Sequence, residues 1–294
     1  MKKWYRYVKP YLAYFIIGPV CMLVEVAGEV IMPKMLSVVI NDANAQQLTV
    51  ATSLTTMALM ILTAVLMLLG GVGGAYFASK ASVNFAADLR ADVYSKVQKF
   101  SFANIDKFST GSLVTRLTND VTQVQNFVNM LLRMALRAPG MLIAALIMAI
   151  AMQPTLSVVF AVSIPLMLIA VSFIISKGFP RFSVMQRKVD ALNTSVQENV
   201  TNVRVVKSFV REEHEEQKFG VANSDLKNSS MAAMRIMIFM QPVITLFMNL
   251  TVLAVIWFGG SISLSGGMQV GDLSAFVTYV TQILSSLMMV TVLL

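Results

Sequence analysis

The chain has 294 residues, of which 56% are apolar and only 13% are charged, and its formal net charge is +8. A soluble domain usually has about a quarter of its residues charged, so this composition excludes an ordinary soluble enzyme and a disordered chain. At roughly 20 apolar residues per helical span, the length allows about six spans with loops between them. The composition therefore predicts an all-α membrane protein.

The apolar runs predict six spans, which in chain order cover 11–40, 53–79, 127–152, 155–176, 236–259 and 273–294. Two polar arms of nearly equal length, 80–137 and 177–235, separate the second span from the third and the fourth from the fifth. Apolar residues recur at helical spacing in both arms. The predicted fold class is therefore six transmembrane helices with two long cytoplasmic helical arms, each arm extending the adjoining spans.

The basic residues lie almost entirely in three segments. Four precede the first apolar run, eight lie between Lys80 and Arg137, ten lie between Lys177 and Arg235, and only Lys34 lies elsewhere. Because basic residues near the ends of spans stay in the cytoplasm, this pattern predicts a cytoplasmic N-terminus. The positive charge is thus interpreted as setting the orientation in a plasma membrane, and no nucleic-acid partner is expected.

Two pairs of residues within the spans predict how helices meet. Gly70 and Gly74 form a small-xxx-small pair that permits close contact between helices, although glycine is also simply common in membrane spans. Arg133 and Arg137 are four residues apart in the third span, and we expect both to extend to the inner membrane interface.

Two acidic residues lie inside the first span. Glu25 and Glu29 are four residues apart on one helix face, and Lys34 follows close enough that it is expected to neutralise Glu29 in part. Ionisable side chains inside a membrane are costly, so they are candidates for function. We interpret this pair as a candidate substrate pathway that suits a cationic substrate. The alternative is a structural polar pair that bonds neighbouring helices.

Three groups of residues carry a resemblance to a known family. The first arm contains Ile105–Leu113 followed by Arg116–Asp120, the second arm contains Arg204–Glu212, and the last span begins with Val270–Phe276. In order and spacing these segments resemble the transmembrane domain of ABC exporters with six helices and long cytoplasmic arms. The resemblance covers essentially the whole chain.

The resemblance implies that each arm ends in a short coupling helix that lies on a nucleotide-binding domain. These helices would be near 103–110 and 206–216. The residues implied in coupling are Asn104, Ile105, Asp106, Lys107, Phe108, Thr110, Gly111, Lys207, Ser208, Phe209, Arg211 and Glu212.

From the residues themselves, Gly111 suits a turn between two helices, and Asn104 and Asp106 are suitable helix caps. The mixed charges around 207–213 fit either a docking surface or a solvated helix face.

No phosphate-binding loop of the G-x-x-x-x-G-K-[ST] pattern occurs in the sequence. The segment Leu264–Gln269 resembles an ABC signature with Met268 inserted, but it lies in a predicted outer loop and is rejected as a nucleotide site. We therefore predict no catalytic, cofactor-binding or metal-binding residue in this chain. ATP and Mg are expected on a nucleotide-binding domain outside it, on the same polypeptide or on a separate subunit.

The predicted function is the membrane half of an ATP-driven ABC transporter, which exports drugs, lipids or other amphiphiles by alternating access. Its expected partners are the lipid bilayer, the nucleotide-binding domain and a second transmembrane half, as a homodimer or heterodimer, in a bacterial plasma membrane. The 22 methionines fit a surface that accepts varied ligands, or simply fill the spans. Because the chain ends inside an apolar run, we expect a further cytoplasmic part after it.

Three alternatives remain at this point. The first is a secondary transporter driven by an ion gradient, with Glu25 and Glu29 as its intramembrane acids. The second is an ABC importer with the exporter fold, and the third is a channel or regulatory membrane scaffold. The two long arms and the lack of an inverted repeat of short, broken helices argue against the first.

Overall fold

The computed structural model describes residues 2–47, 49–101, 108 and 110–293. The elements in chain order are α1 (Lys2–Val8), a 3₁₀ turn (Lys9–Tyr11), α2 (Leu12–Asn44), α3 (Val50–Gln98), α4 (Thr110–Thr115), a π-helical turn (Arg116–Asp120), α5 (Val121–Met134), α6 (Arg137–Met152), α7 (Pro154–Thr201), α8 (Val203–Ser208), α9 (Glu212–Ile238), α10 (Met240–Leu264) and α11 (Val270–Leu293). Within the described residues, six helical stretches are long and apolar enough to cross a membrane. The predicted all-α fold with six transmembrane helices is confirmed.

The two longest helices extend far beyond a membrane span. Helix α3 has 49 residues and α7 has 48. At about 1.5 Å per residue each is roughly 70 Å long, whereas the hydrocarbon core of a bilayer is about 30 Å thick. Each apolar span therefore continues without a break into the polar segment that follows it.

A proline follows each of two interruptions in the helices, whereas Pro19 and Pro33 of α2 and Pro165 and Pro180 of α7 lie inside unbroken helices. Helix α5 ends at Met134 and α6 begins at Arg137, just before Pro139; similarly, α9 ends at Ile238 and α10 begins at Met240, just before Pro242. Proline lacks the N–H group that would bond the carbonyl four residues earlier, and its ring collides with that carbonyl. The third predicted span, 127–152, is two helices separated at 135–136.

The chain divides into two compact units, one formed by 1–157 and 254–294 and the other by 158–253. In the first, α2 packs against α3, α6 and α11, and the buried side chains include Val26, Phe276 and Tyr279. In the second, α7 lies along α9.

The contact between α7 and α9 is partly polar. Lys188 of α7 forms an ion pair with Asp225 of α9 at 2.6 Å. Arg181 donates a hydrogen bond to the Ala232 carbonyl oxygen at 3.3 Å, and Ala233 is fully buried.

Glycines bring α2 and α3 into backbone contact. Gly70 and Gly74 of α3 are both buried. A Cβ atom at Gly70 would lie 2.8 Å from the Cys21 carbonyl oxygen, and one at Gly74 would overlap the Met22 side chain and lie 3.2 Å from the Gly18 carbonyl oxygen. Real side chains do not approach backbone oxygen so closely, so the close contact predicted for this glycine pair is confirmed.

Candidate functional site: a charged cleft and two arm tips

A cluster of three charged side chains joins α2 to α6. Arg137 lies between the two acids of α2: its Nη1 is 2.8 Å from Glu25 Oε1 and its Nη2 is 2.7 Å from Glu29 Oε1. The three side chains are 27%, 18% and 25% exposed, respectively. One cation balances two anions, so the cluster keeps one formal negative charge.

Arg137 has partners on α2 that the sequence prediction of an interfacial pair with Arg133 did not include. Residues 135–136 interrupt the helix, but Arg133 and Arg137 still line one cavity. The Arg137 side chain extends to the carboxylates of α2, where its guanidinium group donates to both. A planar guanidinium suits this arrangement because its N–H groups diverge toward separate acceptors.

Lys34 does not neutralise Glu29, contrary to the sequence prediction. Its Nζ lies 2.9 Å from Asp272 Oδ1 in the first turn of α11. Five residues along a helix correspond to a rotation of roughly 140° from Glu29, so Lys34 points to a different neighbour. Ser37 also donates to Asp272 Oδ1, at 3.1 Å.

The segment Val270–Phe276 begins α11, and two of its residues connect the start of α11 to α2. The Gly271 N–H, one of the donors that a helix leaves unpaired at its start, donates to Asn41 Oδ1 at 2.8 Å. A Cβ atom at Gly271 would overlap the Ser37 carbonyl oxygen. Gly271 is therefore required because the backbones of α2 and α11 approach closely there, and Asp272 is required for the ion pair with Lys34. Sequence analysis did not identify this structural role.

Two further hydrogen bonds join α11 to backbone carbonyls of α2, and Pro33 explains the first of them. Because proline has no N–H, the Glu29 carbonyl four residues earlier loses its partner within the helix. Gln282 Nε2 of α11 donates to that carbonyl oxygen at 2.9 Å, and the Tyr279 hydroxyl donates to the neighbouring Val30 carbonyl at 2.9 Å. Sequence analysis missed both residues, although a proline inside a membrane helix signals that a neighbouring helix must supply a donor.

Two cavities adjoin Arg137. The first, which we call the glutamate cavity, has a volume of about 510 Å³ and is lined by Glu29 and Arg137, by hydroxyl and amide groups of α11, and by four methionines. The second, the arginine cavity, has a volume of about 550 Å³ and is lined by Arg133 and Arg137, by Asn126 and by methionines that include Met289 of the first cavity. Glu29 therefore lies on a cavity wall, whereas Glu25 is not part of the lining.

The tip of the first arm is only partly described. Asn104, Ile105, Asp106 and Lys107 lie outside the described residues, as do the helix caps predicted there. Phe108 stacks on Phe100 with ring centroids 6.0 Å apart, and the Arg116 guanidinium lies 5.0 Å from the Phe108 ring centroid. The turn predicted at Gly111 is wrong, because Thr110 and Gly111 begin α4 and Gly111 has no positive φ angle.

The segment Arg116–Asp120 forms a π-helical turn. Such a turn disturbs the regular bonding of the backbone and leaves carbonyl groups in need of donors. Arg90 of α3 supplies one, since its Nε donates to the Leu117 carbonyl oxygen at 3.0 Å. This part of the first motif therefore fixes the two sides of the first arm to each other.

The tip of the second arm is a short helix that ends in a strained turn. Helix α8 begins at Val203, earlier than the coupling helix predicted near 206–216. After it, the Arg211 N–H bonds the Val206 carbonyl at 3.0 Å and the Val210 N–H bonds the Lys207 carbonyl at 3.3 Å. This is the Schellman pattern, in which glycine normally occupies the left-handed position.

Here Val210 occupies that position, with φ = 52°. A β-branched residue in this region is strained by about 1–2 kcal/mol, and strain of this kind often accompanies function. Val210 is 81% exposed and the adjacent Phe209 is 73% exposed. The tip therefore presents two large apolar side chains to its surroundings.

Charged groups surround these apolar residues. Lys207 Nζ lies 2.9 Å from Glu212 Oε1, and the hydrogen bond from Lys207 lowers the pKa of Glu212. Glu212 is the first residue of α9, where the helix dipole also favours an acid, and Arg211 precedes it as an exposed residue. Ser208 Oγ bonds the Val205 carbonyl oxygen at 3.0 Å, which fastens the last turn of α8.

Comparison with known proteins extends these observations. Residues 15–287 match the family model described as the ABC transporter transmembrane region. The chain is 34% identical over 289 residues to the Bacillus subtilis protein named uncharacterized ABC transporter ATP-binding protein YfiB, covering 98% of this chain and 50% of that protein. It is 34% identical over 286 residues to the Mycobacterium tuberculosis protein of the same description named Rv1273c, covering 97% and 49%.

A Streptococcus pneumoniae protein, the putative ABC transporter ATP-binding protein exp8, is 24% identical over 294 residues, with 99% of this chain and 50% of that protein covered. The chain thus spans about half the length of the curated relatives it matches.

Proposed function

The chain belongs to the family of ABC transporter transmembrane regions, and from this premise we propose that it forms the substrate translocation path of an ATP-driven exporter. ATP and Mg would be bound by a nucleotide-binding domain, on the same polypeptide or on a separate subunit. A second transmembrane half would complete the path as a homodimer or heterodimer. The three relatives named above are called ATP-binding proteins, and this supports the pairing with an ATPase domain.

The observation that carries the proposal is the tip of the second arm. A docking surface needs apolar side chains that are exposed in the free chain, flanked by charges that orient the partner. Phe209 and Val210 supply the exposed apolar side chains, and Lys207, Arg211 and Glu212 supply the flanking charges. The strained backbone at Val210 supports a role in docking, because an unstrained turn with glycine would serve a purely structural purpose better.

The polar contacts of α2 support the other half of the proposal, the translocation path. Charged side chains in a membrane are placed toward a cavity or toward each other, and Glu29 and Arg137 satisfy both conditions. Glu25 and Glu29 remain our candidates for the substrate pathway.

The orientation follows from the charge distribution. The two arms and the N-terminus carry 22 of the 23 basic residues, which favours a cytoplasmic location for all three segments in the plasma membrane of a bacterium. The arm tips would then meet ATPase domains inside the cell. The outward direction that we propose for transport comes from the resemblance to ABC exporters.

The proposal is tested with the complete transporter in inside-out membrane vesicles. Replacing Phe209 by alanine is expected to reduce ATP-driven transport about tenfold, because truncating a central apolar anchor of an interface typically costs more than 1 kcal/mol. ATP hydrolysis should continue, uncoupled from transport. The matched control is Phe179→Ala, which removes an equally exposed phenylalanine (74%) outside the tip.

Equal transport by Phe209→Ala, Phe179→Ala and the unaltered protein would contradict the coupling role. Transport that needs ATP but runs from the vesicle lumen outward would contradict export and favour an importer with this fold.

A further inference from the structure

Lys80 lies where the apolar part of α3 ends. Every residue of α3 before it is uncharged, and its own side chain is exposed. No ion pair to Lys80 occurs among the described residues. A lysine at the end of a span extends its ammonium group to the polar interface. In the orientation that we propose, this group therefore lies at the level of the phosphates of the cytoplasmic leaflet.

Two tyrosines hold the ammonium group in place. Lys80 Nζ lies 4.9 Å from the ring centroid of Tyr14 on α2 and 5.6 Å from the ring centroid of Tyr76 on α3. The Phe77 ring stacks on Tyr14 with centroids 6.0 Å apart and meets Tyr76 edge-on at 5.4 Å, so both tyrosines are themselves fixed. Aromatic faces stabilise a cation but carry no net charge. Within the described residues, the positive charge of Lys80 thus lacks an anionic partner.

An exposed apolar stripe on α3 leads to this cluster. Leu69, Val72 and Tyr76 are 62%, 61% and 57% exposed. Together with Lys80 they recur at spacings of three and four residues, which place them on one face of the helix. From Leu69 to Lys80 the helix rises by about 16 Å, close to half of the roughly 30 Å hydrocarbon core of a bilayer. The stripe therefore has the length of an acyl chain in one leaflet.

The charge at the end of the stripe favours one class of headgroup. A phosphate oxygen accepts hydrogen bonds from the ammonium group of Lys80 and from the hydroxyl of Tyr76, which is more than half exposed. The choline of a zwitterionic headgroup would bind best on the faces of the two tyrosine rings, but Lys80 already occupies them. A headgroup with a net negative charge consequently fits the cluster better than a zwitterionic one.

The lysine at the start of the second arm has a simpler environment. Lys177 follows the fourth predicted span as Lys80 follows the second, and both side chains are exposed. The Phe173 ring lies 5.8 Å from Lys177 Nζ and, among the described residues, is the one ring in cation–π contact with it. Phenylalanine has no hydroxyl to donate to a phosphate. The two lysines therefore share their position at a span end, and the pair of tyrosines distinguishes Lys80.

We propose that Tyr14, Tyr76 and Lys80 form a headgroup site for an anionic phospholipid of the cytoplasmic leaflet. The lipid phosphate lies at Lys80 and the two hydroxyls, and one acyl chain lies along the stripe at Leu69 and Val72. None of these five residues lines the glutamate cavity or the arginine cavity. The proposal goes beyond the proposed function, because it assigns a bound lipid that is not the transported substrate.

The experiment measures lipid contact at the stripe in the complete transporter. Val72 is replaced by cysteine in a Cys21→Ala background without other reactive cysteines and is labelled with bimane, whose fluorescence is quenched by bromine on neighbouring acyl chains. The nanodiscs contain phosphatidylglycerol, an anion, and phosphatidylcholine, a zwitterion, with identical chains and in equal amounts. Bromine is placed on one lipid or on the other. ATP is absent and both leaflets have the same composition, so the result depends on neither the proposed transport nor the orientation.

We expect contact with phosphatidylglycerol to be favoured about fivefold, because one lysine near the membrane surface contributes about 1 kcal/mol to the attraction of an anionic lipid. Lys80→Gln should abolish this preference, and Lys80→Arg should keep it. A double variant with Tyr14→Phe and Tyr76→Phe keeps both rings and removes both hydroxyls, and it should reduce the preference about twofold. The matched control Lys177→Gln removes the same charge at the other span end and should leave the preference unchanged.

Equal quenching by the two lipids in the labelled protein would overturn the proposal. A loss of preference in Lys177→Gln as large as in Lys80→Gln would also overturn it, since overall charge would then attract the lipid. Quenching by neither lipid would show that protein, such as the second transmembrane half, covers the stripe. If sodium phosphate removed the preference and sodium chloride of equal ionic strength did not, the cluster would bind a free anion and the lipid site would be rejected.

Discussion

Helix α2 contacts α3 through glycines, and it contacts α6 and α11 through charged and polar side chains. The glycine face is held by close approach of two backbones, with no room for a side chain at Gly70. The polar face contains the cluster around Arg137, the Lys34–Asp272 ion pair and a cavity of about 510 Å³. In a bilayer there is no hydrophobic force between helices, so these two faces are stabilised by different interactions.

The difference indicates which contact can open. Separating α2 from α3 would lose a dense van der Waals contact and gain nothing from water. Separating α2 from α6 and α11 would hydrate charges that are costly in lipid but well solvated in water. We therefore expect the polar face to line the path and the glycine face to move as one body with α3.

The largest effect on stability is expected from replacing Arg137, the cation of the polar face. Arg137→Gln leaves two carboxylates without their partner, and it should lower the free energy of unfolding by about 2–3 kcal/mol, less than for fully buried pairs because the cluster is partly exposed. Thermal denaturation of the purified complete transporter measures the loss.

A triple variant that also carries Glu25→Gln and Glu29→Gln removes all the charges of the cluster. It should recover most of the lost stability, since no unpaired charge remains. If the triple variant were as unstable as Arg137→Gln, lost packing and not charge would explain the effect.

A single added methyl group is expected to disrupt the glycine contact between α2 and α3. Gly70→Ala would force a Cβ atom to within 2.8 Å of a backbone oxygen that cannot move independently. We expect a destabilisation of about 1–3 kcal/mol, as for overpacked cores. Gly73→Ala is the matched control on the same helix, because its Cβ atom would meet the Cys21 Sγ at an ordinary 3.5 Å.

Thermal denaturation of both variants checks this prediction. Gly73→Ala should be neutral or slightly stabilising, since alanine favours helix over glycine. Equal stability of the two variants would show that the close approach at Gly70 is unimportant.

The hydrogen bonds to the carbonyls near Pro33 should have a moderate effect. Tyr279→Phe removes the donor to the buried Val30 carbonyl and keeps the ring, which costs about 1 kcal/mol. Thr278→Val is a control on the same helix, since the Thr278 hydroxyl bonds only within its own helix turn, at Ser274. A larger loss of thermal stability for Thr278→Val than for Tyr279→Phe would contradict this account.

The smallest effect is expected at the Lys34–Asp272 ion pair. Lys34 is 41% exposed, so solvent screens the pair and Lys34→Gln should cost less than about 1 kcal/mol. The loss should shrink further at high salt, because screening weakens exposed pairs more than buried ones. Denaturation at low and high salt, compared with Arg137→Gln, distinguishes the two ion pairs; an equally salt-insensitive loss for both would contradict the ranking.

The sequence was sufficient for the six spans and for the helical character of the arms. These features depend on hydropathy and helical periodicity, which are local properties of the chain. The contact at Gly70 and Gly74 could also be predicted, because small residues four apart lie on one face of a helix.

The interaction partners of the charged residues could not be predicted from the sequence in this way. Arg137 was assigned to the interface from its helical spacing to Arg133, and no local pattern indicates that the acids of α2 are its partners. Lys34 was assigned to Glu29 from nearness in sequence, and the rotation of the helix directs it to Asp272 instead. Gln282 and Tyr279 lie about 250 positions from the carbonyls they bond, a relation that no local pattern contains.

The central claim is that the polar face of α2 lines a path whose access alternates with ATP. It is tested most directly by replacing Ser285 with cysteine in a Cys21→Ala background and labelling with a membrane-impermeant thiol reagent. We predict labelling from the cytoplasmic side without nucleotide and from the outer side when ATP is trapped with vanadate. Gln269→Cys, in the loop between α10 and α11, should be labelled from outside in both conditions. Labelling of Ser285→Cys that does not respond to ATP would contradict the claim.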